Sequence, residues 1–271
     1  MTSGAELAQL AQLGPFFALD TYPVGAAPFE GWRPLEELLG QPGVLEAQVA
    51  VVRAALAEAS GRHPDEVEPR VAASMTQLGL AARLICPALG MAVLTGRLLR
   101  VDAARMRWRP GPGGAVALSI RDDALAPAGS AAVNPAAFDD MALDDMALDD
   151  MALADMALAD ALAGTVIDGP VRALVEAGAR LAVSPQVLWG NVASVLNSAR
   201  TLVGAVEPAL LEPTDQLVSR LLSRPPLHGT HQGSAAAGFR RRSCCLMYRL
   251  APAQAPVCGD CVLDRGPALP S

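Results

Sequence analysis

Apolar residues recur at helical spacing along most of this chain, and the breaks between them are glycine and proline. Leu7 to Leu13 predicts a short helix that ends before Gly14-Pro15, followed by a polar, proline-broken connection through Pro28. Pro34 to Leu39 predicts another short helix, with proline in its first turn, where no N–H is needed. Val44, Val49, Val52 and Leu56 share a face and predict a helix over Val44 to Ala59. Asp65 to Arg83 and Pro87 to Leu99 predict two apolar helices joined near Cys86-Pro87. Period two occurs only over Arg105 to Pro110 and Ala115 to Ile120, strands that flank Gly111-Pro-Gly-Gly114 as a hairpin. Asp122 to Pro135 reads as a loop rich in Ala, Pro and Gly. Beyond Gly164 the helical pattern resumes over Pro170 to Leu181. Ser184-Pro185 then caps a helix over Pro185 to Leu202, and Thr214 to Leu222 forms the last one before Pro225-Pro226.

Composition agrees: Ala and Leu dominate, and only 4% of residues are aromatic, which favours packed helices over a β-sandwich. The expected fold is mainly α with a small β-hairpin (α+β), a helical body with a C-terminal Cys-rich segment. Four regions follow: an N-terminal helical region with the hairpin (1–135), a repeat linker (136–163), a C-terminal helical region (164–235) and a cysteine segment (236–271). The linker repeats Asp-Asp-Met-Ala-Leu and drifts to Ala-Asp-Met-Ala-Leu. A five-residue advance turns about 140° on a helix, so its leucines spiral off any single face. An EF-hand loop needs oxygens at alternate positions and a glycine turn, which this repeat lacks. It reads as a solvent-facing insertion whose deletion leaves the chemistry intact.

The repeat also explains the charge. Asp139 to Asp160 holds eight Asp and no base, so the formal −7 becomes +1 without it (−7 + 8). No basic patch interleaved with aromatics occurs, and no nucleic-acid partner is expected. The N-terminus has no basic stretch before an apolar run, and Arg83 and Pro87 interrupt the most apolar span. A cytoplasmic protein without stable membrane insertion is the expectation. Among the remaining polar candidates, His63, His228 and His231 read as exposed loop residues, Gln77 as a satisfied core group and Arg83 as a snorkelling side chain. Trp189 reads as core. Asn191 reads as a link to a neighbouring helix or to the cysteine segment.

Four of the five cysteines, Cys244, Cys245, Cys258 and Cys261, fall within eighteen residues, while Cys86 stands apart and reads as a small core residue. Cys258-Gly-Asp-Cys261 brings two thiolates together across a turn, and the upstream pair completes a four-thiolate set. Zinc knuckles carry a spacer between paired cysteines, which Cys244-Cys245 lacks. Two irons relax that demand, since each needs two protein ligands. A 2Fe-2S cluster, a zinc site and a disulfide all remain open on spacing alone. Arg240, Arg241, Arg242 and Arg249 flank the thiols, as solvated charge or as groups that favour a reduced centre.

Arg242-Ser-Cys-Cys-Leu-Met-Tyr-Arg249 followed by Cys258-Gly-Asp-Cys261-Val-Leu263 resembles the C-terminal signature of the FhuF-type ferric-siderophore reductases. Val71-Ala-Ala-Ser to Gly96 and Leu188-Trp-Gly-Asn-Val-Ala-Ser194 are similar to that family too. Twelve residues separate Cys245 from Cys258, against about ten in the family pattern, and the excess falls in Ala251 to Pro256. The resemblance implies a 2Fe-2S cofactor on Cys244, Cys245, Cys258 and Cys261. It also implies an oxidoreductase that reduces a ferric siderophore by one electron, releases Fe(II), and draws on an unidentified electron donor. The rival expectations are a zinc-stabilised binding protein without redox activity and a 2Fe-2S carrier with a non-iron acceptor.

Overall fold

The computed structural model describes residues 3–26, 31–125, 156–234, 238–250 and 258–263. The chain opens with α1 (Ser3–Gln12), β1 (Asp20–Tyr22), β2 (Arg33–Pro34), α2 (Leu35–Gly40) and α3 (Val44–Ala59). Helix α4 then runs unbroken from Pro69 to Thr95. The expected break at Cys86-Pro87 does not occur. Pro87 costs the helix about 3 kcal/mol, but Leu84, Ile85, Ala88 and Leu89 around it are all buried in one core. Each fully buried leucine or isoleucine returns about 1.5–3 kcal/mol, so burial outweighs the missing bond. Length and composition alone would let α4 cross a membrane. Here it is the core helix, buried from Val71 to Ala92 on most of its faces.

The hairpin forms as expected, from β3 (Met106–Pro110) and β4 (Val116–Arg121) in the register Met106↔Ile120 to Pro110↔Val116. It belongs to a four-stranded sheet, order β1-β4-β3-β2, in which β1 lies parallel to β4. The two outer strands were missed because two or three residues are too few for an alternating pattern. Side chains on the sheet secure them instead: Arg107 lies over Tyr22 at 3.8 Å and Arg33 over Trp108 at 5.3 Å. Pro34 is tolerated in β2 because that strand is an edge.

The repeat up to residue 155, and the loop beyond residue 125, lie outside the described residues. From 156 the chain is already helical, and Ala159 and Leu162 are buried in the core. The end of the predicted linker is therefore packed, not solvent-facing. A wide-turned stretch, Ala163–Val171, kinks at Gly169 and leads into α5 (Arg172–Arg180). Helix α6 (Pro185–Val206) is capped by Ser184, whose Oγ accepts the Gln186 N–H at 3.3 Å, and α7 (Leu211–Leu222) follows. One apolar cluster runs from Leu10 through α4 and the sheet to α6, α7 and Phe239. Helices α4 and α6 form its most extensive contact, and the cysteine segment is seated on that pair.

Candidate functional site

The cysteine segment is fastened to α4 and α6 by small polar groups. Ser243 Oγ donates to the Gln186 carbonyl at 3.0 Å. It fits because the helix offers Gly190 at that point: a Cβ built there would collide with the Ser243 hydroxyl. From α4, Ser74 Oγ donates to the Cys245 carbonyl at 2.9 Å. Asn191, fully buried on α6, donates from Nδ2 to Ser74 Oγ at 3.1 Å and to Gln77 Oε1 at 2.9 Å, and its Oδ1 accepts from Arg241 Nη1 at 3.0 Å. Asn191 thus fills both of its expected roles, and Gln77 is satisfied as expected.

Arg241 is the residue that sequence reading placed wrongly in part. It stands with Arg240 and Arg242 in the chain, yet it is 1% exposed. The adjacent strand pair, β5 (His231–Gln232) with β6 (Arg240–Arg241), turns it inward while Arg242 stays exposed. Its main-chain N–H donates to the Asp260 carbonyl at 3.0 Å, and its Nε faces Asp260 Oδ2 at 3.4 Å. One arginine therefore ties the first cysteine loop to the second. Burial works against its charge, but Asp260, Cys245 and Cys258 more than offset this and hold the guanidinium above its ordinary range.

Around this cation sit the four thiols, all unbridged: Cys245 and Cys261 buried, Cys244 and Cys258 half-buried. Cys245 Sγ and Cys258 Sγ are 3.3 Å apart. The contact with Cys258 pulls the Cys245 thiol well down; burial opposes this, and the Met247 N–H and Arg241 assist. The same bond pushes Cys258 up. Either sulfur can donate in this contact, and Arg241 favours the thiolate on both. Cys244 and Cys261 have matching surroundings: each Sγ accepts the main-chain N–H two residues on, from Leu246 at 3.3 Å and Leu263 at 3.4 Å. Leu246 itself is left-handed, with φ of 73°, directly after the adjacent pair Cys244-Cys245. Burial raises the Cys244 thiol; the Leu246 N–H opposes this, and the neighbouring sulfurs add to it. Among the described residues, no three His, Cys, Asp or Glu side chains converge as they would on a single ion. Cys245 and Cys258 make the one close sulfur–sulfur approach among the described residues.

Other candidates lie apart. Cys86 is buried in the core, where desolvation pushes its thiol up to about 12. In the metal-free protein under native conditions, iodoacetamide at neutral pH is therefore expected to leave Cys86 unlabelled while reacting with cysteines of the tail, as peptide mass mapping would show. Labelling of Cys86 at the rate of the tail thiols would contradict its burial. His63 is exposed at the cap of a short turn. His228 is exposed, but His231 is half-buried and stacks on Phe239 with 5.1 Å between ring centres, so the expectation of a free loop fails for it. Arg83 donates to the carbonyls of Pro15 and Ala18. Trp189 is partly buried against the core, with Arg172 at 5.6 Å from its ring. Arg249 pairs with Glu68 at 2.5 Å. Ser74, Gly190 and Asp260 were not singled out as site residues: Ser74 and Gly190 lay unremarked inside the two helical stretches similar to the family, and Asp260 inside the Cys-x-x-Cys turn.

Residues 241–263 match the FhuF 2Fe-2S C-terminal domain. No curated protein matches the chain. The match begins at Arg241 and takes in all four tail cysteines. The segment is thus a FhuF-type 2Fe-2S domain, and its cofactor is a 2Fe-2S cluster. The local chemistry fits: four unbridged thiols, main-chain N–H donors aimed at sulfur, and a buried arginine that balances thiolate charge.

Proposed function

We propose that this protein is a cytoplasmic ferric-siderophore reductase in which Cys244, Cys245, Cys258 and Cys261 hold the 2Fe-2S cluster. The observation that carries this reading is the FhuF-type domain over 241–263, with Cys258 on the wall of an open groove. When bound, the cluster supplies electrons one at a time. The chain's own residues set the conditions. Leu246 and Leu263 donate main-chain N–H groups to sulfur, which stabilises negative charge there. Arg241 adds a buried positive charge that favours the reduced state. Asn191, Ser74 and Gly190 fix the first cysteine loop on α4 and α6, and Arg241 ties the second loop to it. Cys244 and Cys258 stay half-exposed, close enough to the surface for a bulky acceptor to approach.

The substrate is Fe(III) in a chelate of hard oxygen donors. One electron converts it to Fe(II), whose lower charge weakens its hold on those oxygens, so the metal can leave. The electron enters from a separate donor, which the exposed Arg242 helps to attract if that donor is acidic. The FhuF 2Fe-2S match over 241–263, and the lack of a spacer between Cys244 and Cys245, favour two metal centres over a single zinc.

The test is direct. Anaerobically purified protein, reduced and freed of reductant, is mixed with a ferric siderophore and a chromogenic Fe(II) chelator. About one Fe(II) per cluster is expected, in keeping with a one-electron centre. Colourless, zinc-containing protein would refute the cluster reading. A coloured protein that yields no Fe(II) from any ferric chelate would leave only an electron carrier with another acceptor.

A further inference from the structure

An open hollow of about 400 Å³ lies beside the second cysteine loop, and Cys258, Gly259 and Asp260 form part of its wall. A larger one of about 780 Å³ reaches from there to the β3–β4 turn. Phe16, Met75 and Gly79 line both, so the two form one groove along α4. Its floor is apolar, with Met75 and Leu78 from α4, and Phe16 stands 43% exposed beside it. Arg83 and Arg109 line the far part. Among the described residues, the only acid lining either hollow is Asp260, which faces Arg241.

Gly79 is the informative residue. It lies inside α4, where glycine is less stable than alanine. A Cβ built on it meets no atom within 4 Å. Packing therefore gives no reason for glycine here; what the missing side chain preserves is free space in the groove. Each hollow alone, at about 400 and 780 Å³, falls within the span of about 300–1,000 Å³ that organic ligands occupy.

Resting on the reductase reading, we infer that this groove seats an anionic, aromatic ferric chelate of the tris-catecholate class. Its rings lie against Met75, Leu78 and Phe16, its net negative charge is matched by Arg83 and Arg109, and Cys258 stands at one end of the seat. Gly79 provides the clearance.

Gallium(III) replaces Fe(III) in such chelates and cannot be reduced under these conditions, so it reports binding without electron transfer. Calorimetric titration of the holoprotein with gallium(III) tris-catecholate is expected to show saturable binding, at least about tenfold tighter than neutral gallium(III) tris-hydroxamate, as loss of charge complementarity implies. Gly79→Trp, with its visible cluster absorbance intact, is expected to weaken binding by about tenfold or more through steric exclusion. Arg109→Ala, a change on the sheet surface, is expected to weaken it about threefold to tenfold. Equal affinity for the neutral chelate, unchanged affinity in Gly79→Trp, or no binding of either chelate would overturn the inference; in the last case another occupant, such as a segment of this chain, holds the groove. Binding that Gly79→Trp abolishes, in a protein that releases no Fe(II), would support the seat and overturn the reductase reading. Fe(II) release from a ferric tris-catecholate that Gly79→Trp leaves unchanged would uphold that reading and overturn the seat.

Discussion

Cys258→Ser, purified anaerobically, is expected to lose its iron and acid-labile sulfide by more than about tenfold, beyond the effect of removing an outer-shell partner. Serine is similar in size, but its hydroxyl stays protonated near neutrality and is a hard, poor donor to an iron–sulfur centre. The position is also unforgiving. Cys258 is the partner of Cys245 at 3.3 Å, and its loop is held in place through Asp260 by Arg241. Without that sulfur, three of the four cysteines that would hold the cluster remain. Cys86→Ser is the control: that thiol is buried in the core away from the tail loops, so the variant is expected to keep its visible spectrum and iron content. Normal iron and sulfide in Cys258→Ser would refute the ligand assignment, whereas equal loss in both variants would point to a general folding defect.

Much of this arrangement can be read from residues alone, and the failures have physical causes. Helices with a strong apolar face, such as α3, and the glycine-turned hairpin were found because burial writes a period into the sequence. Pro87 misled because proline is a local signal, and the core on both sides of it is not. Strands β1 and β2 were missed because their stability comes from stacking on Arg107 and Trp108, residues far along the chain. The cysteines were visible as a cluster by type and spacing. Of their supports only Asn191 was: Ser74 and Gly190 lie more than 50 residues upstream, and each is an ordinary helical residue until Cys245 and Ser243 dock on it. The stretch Leu188 to Ser194 gains its meaning in this way. Gly190 admits the hydroxyl of Ser243, Asn191 accepts Arg241, and Ser194 lines the groove beside Cys258. Likewise, nothing in Arg240-Arg241-Arg242 distinguishes the one arginine that is buried, because strand direction at β6 decides it.

That buried arginine supports the second large effect, and one substitution separates its two roles. Arg241→Met removes the charge but keeps most of the volume. It strands the Asp260 carboxylate, whose side chain is 10% exposed, and leaves Asn191 Oδ1 without its donor. Breaking a buried pair from one side costs about 3–5 kcal/mol, enough to lower the thermal midpoint of the holoprotein clearly. The same change removes a positive charge beside Cys245 and Cys258. The reduction potential is then expected to fall by on the order of 100 mV, since a nearby unit charge at an effective dielectric near 20 is worth a few kcal/mol. Adding Asp260→Asn to Arg241→Met relieves the stranded carboxylate and is expected to restore part of the stability. Arg241→Lys keeps the charge but loses the planar fork that reaches Asn191 and Asp260 together, so it is expected to hold the potential near that of the parent while remaining less stable. Spectroelectrochemical titration beside thermal unfolding of the three variants reads both quantities. If Arg241→Met unfolds earlier at an unchanged potential, Arg241 is a structural tie alone, and its charge does not bear on the redox centre.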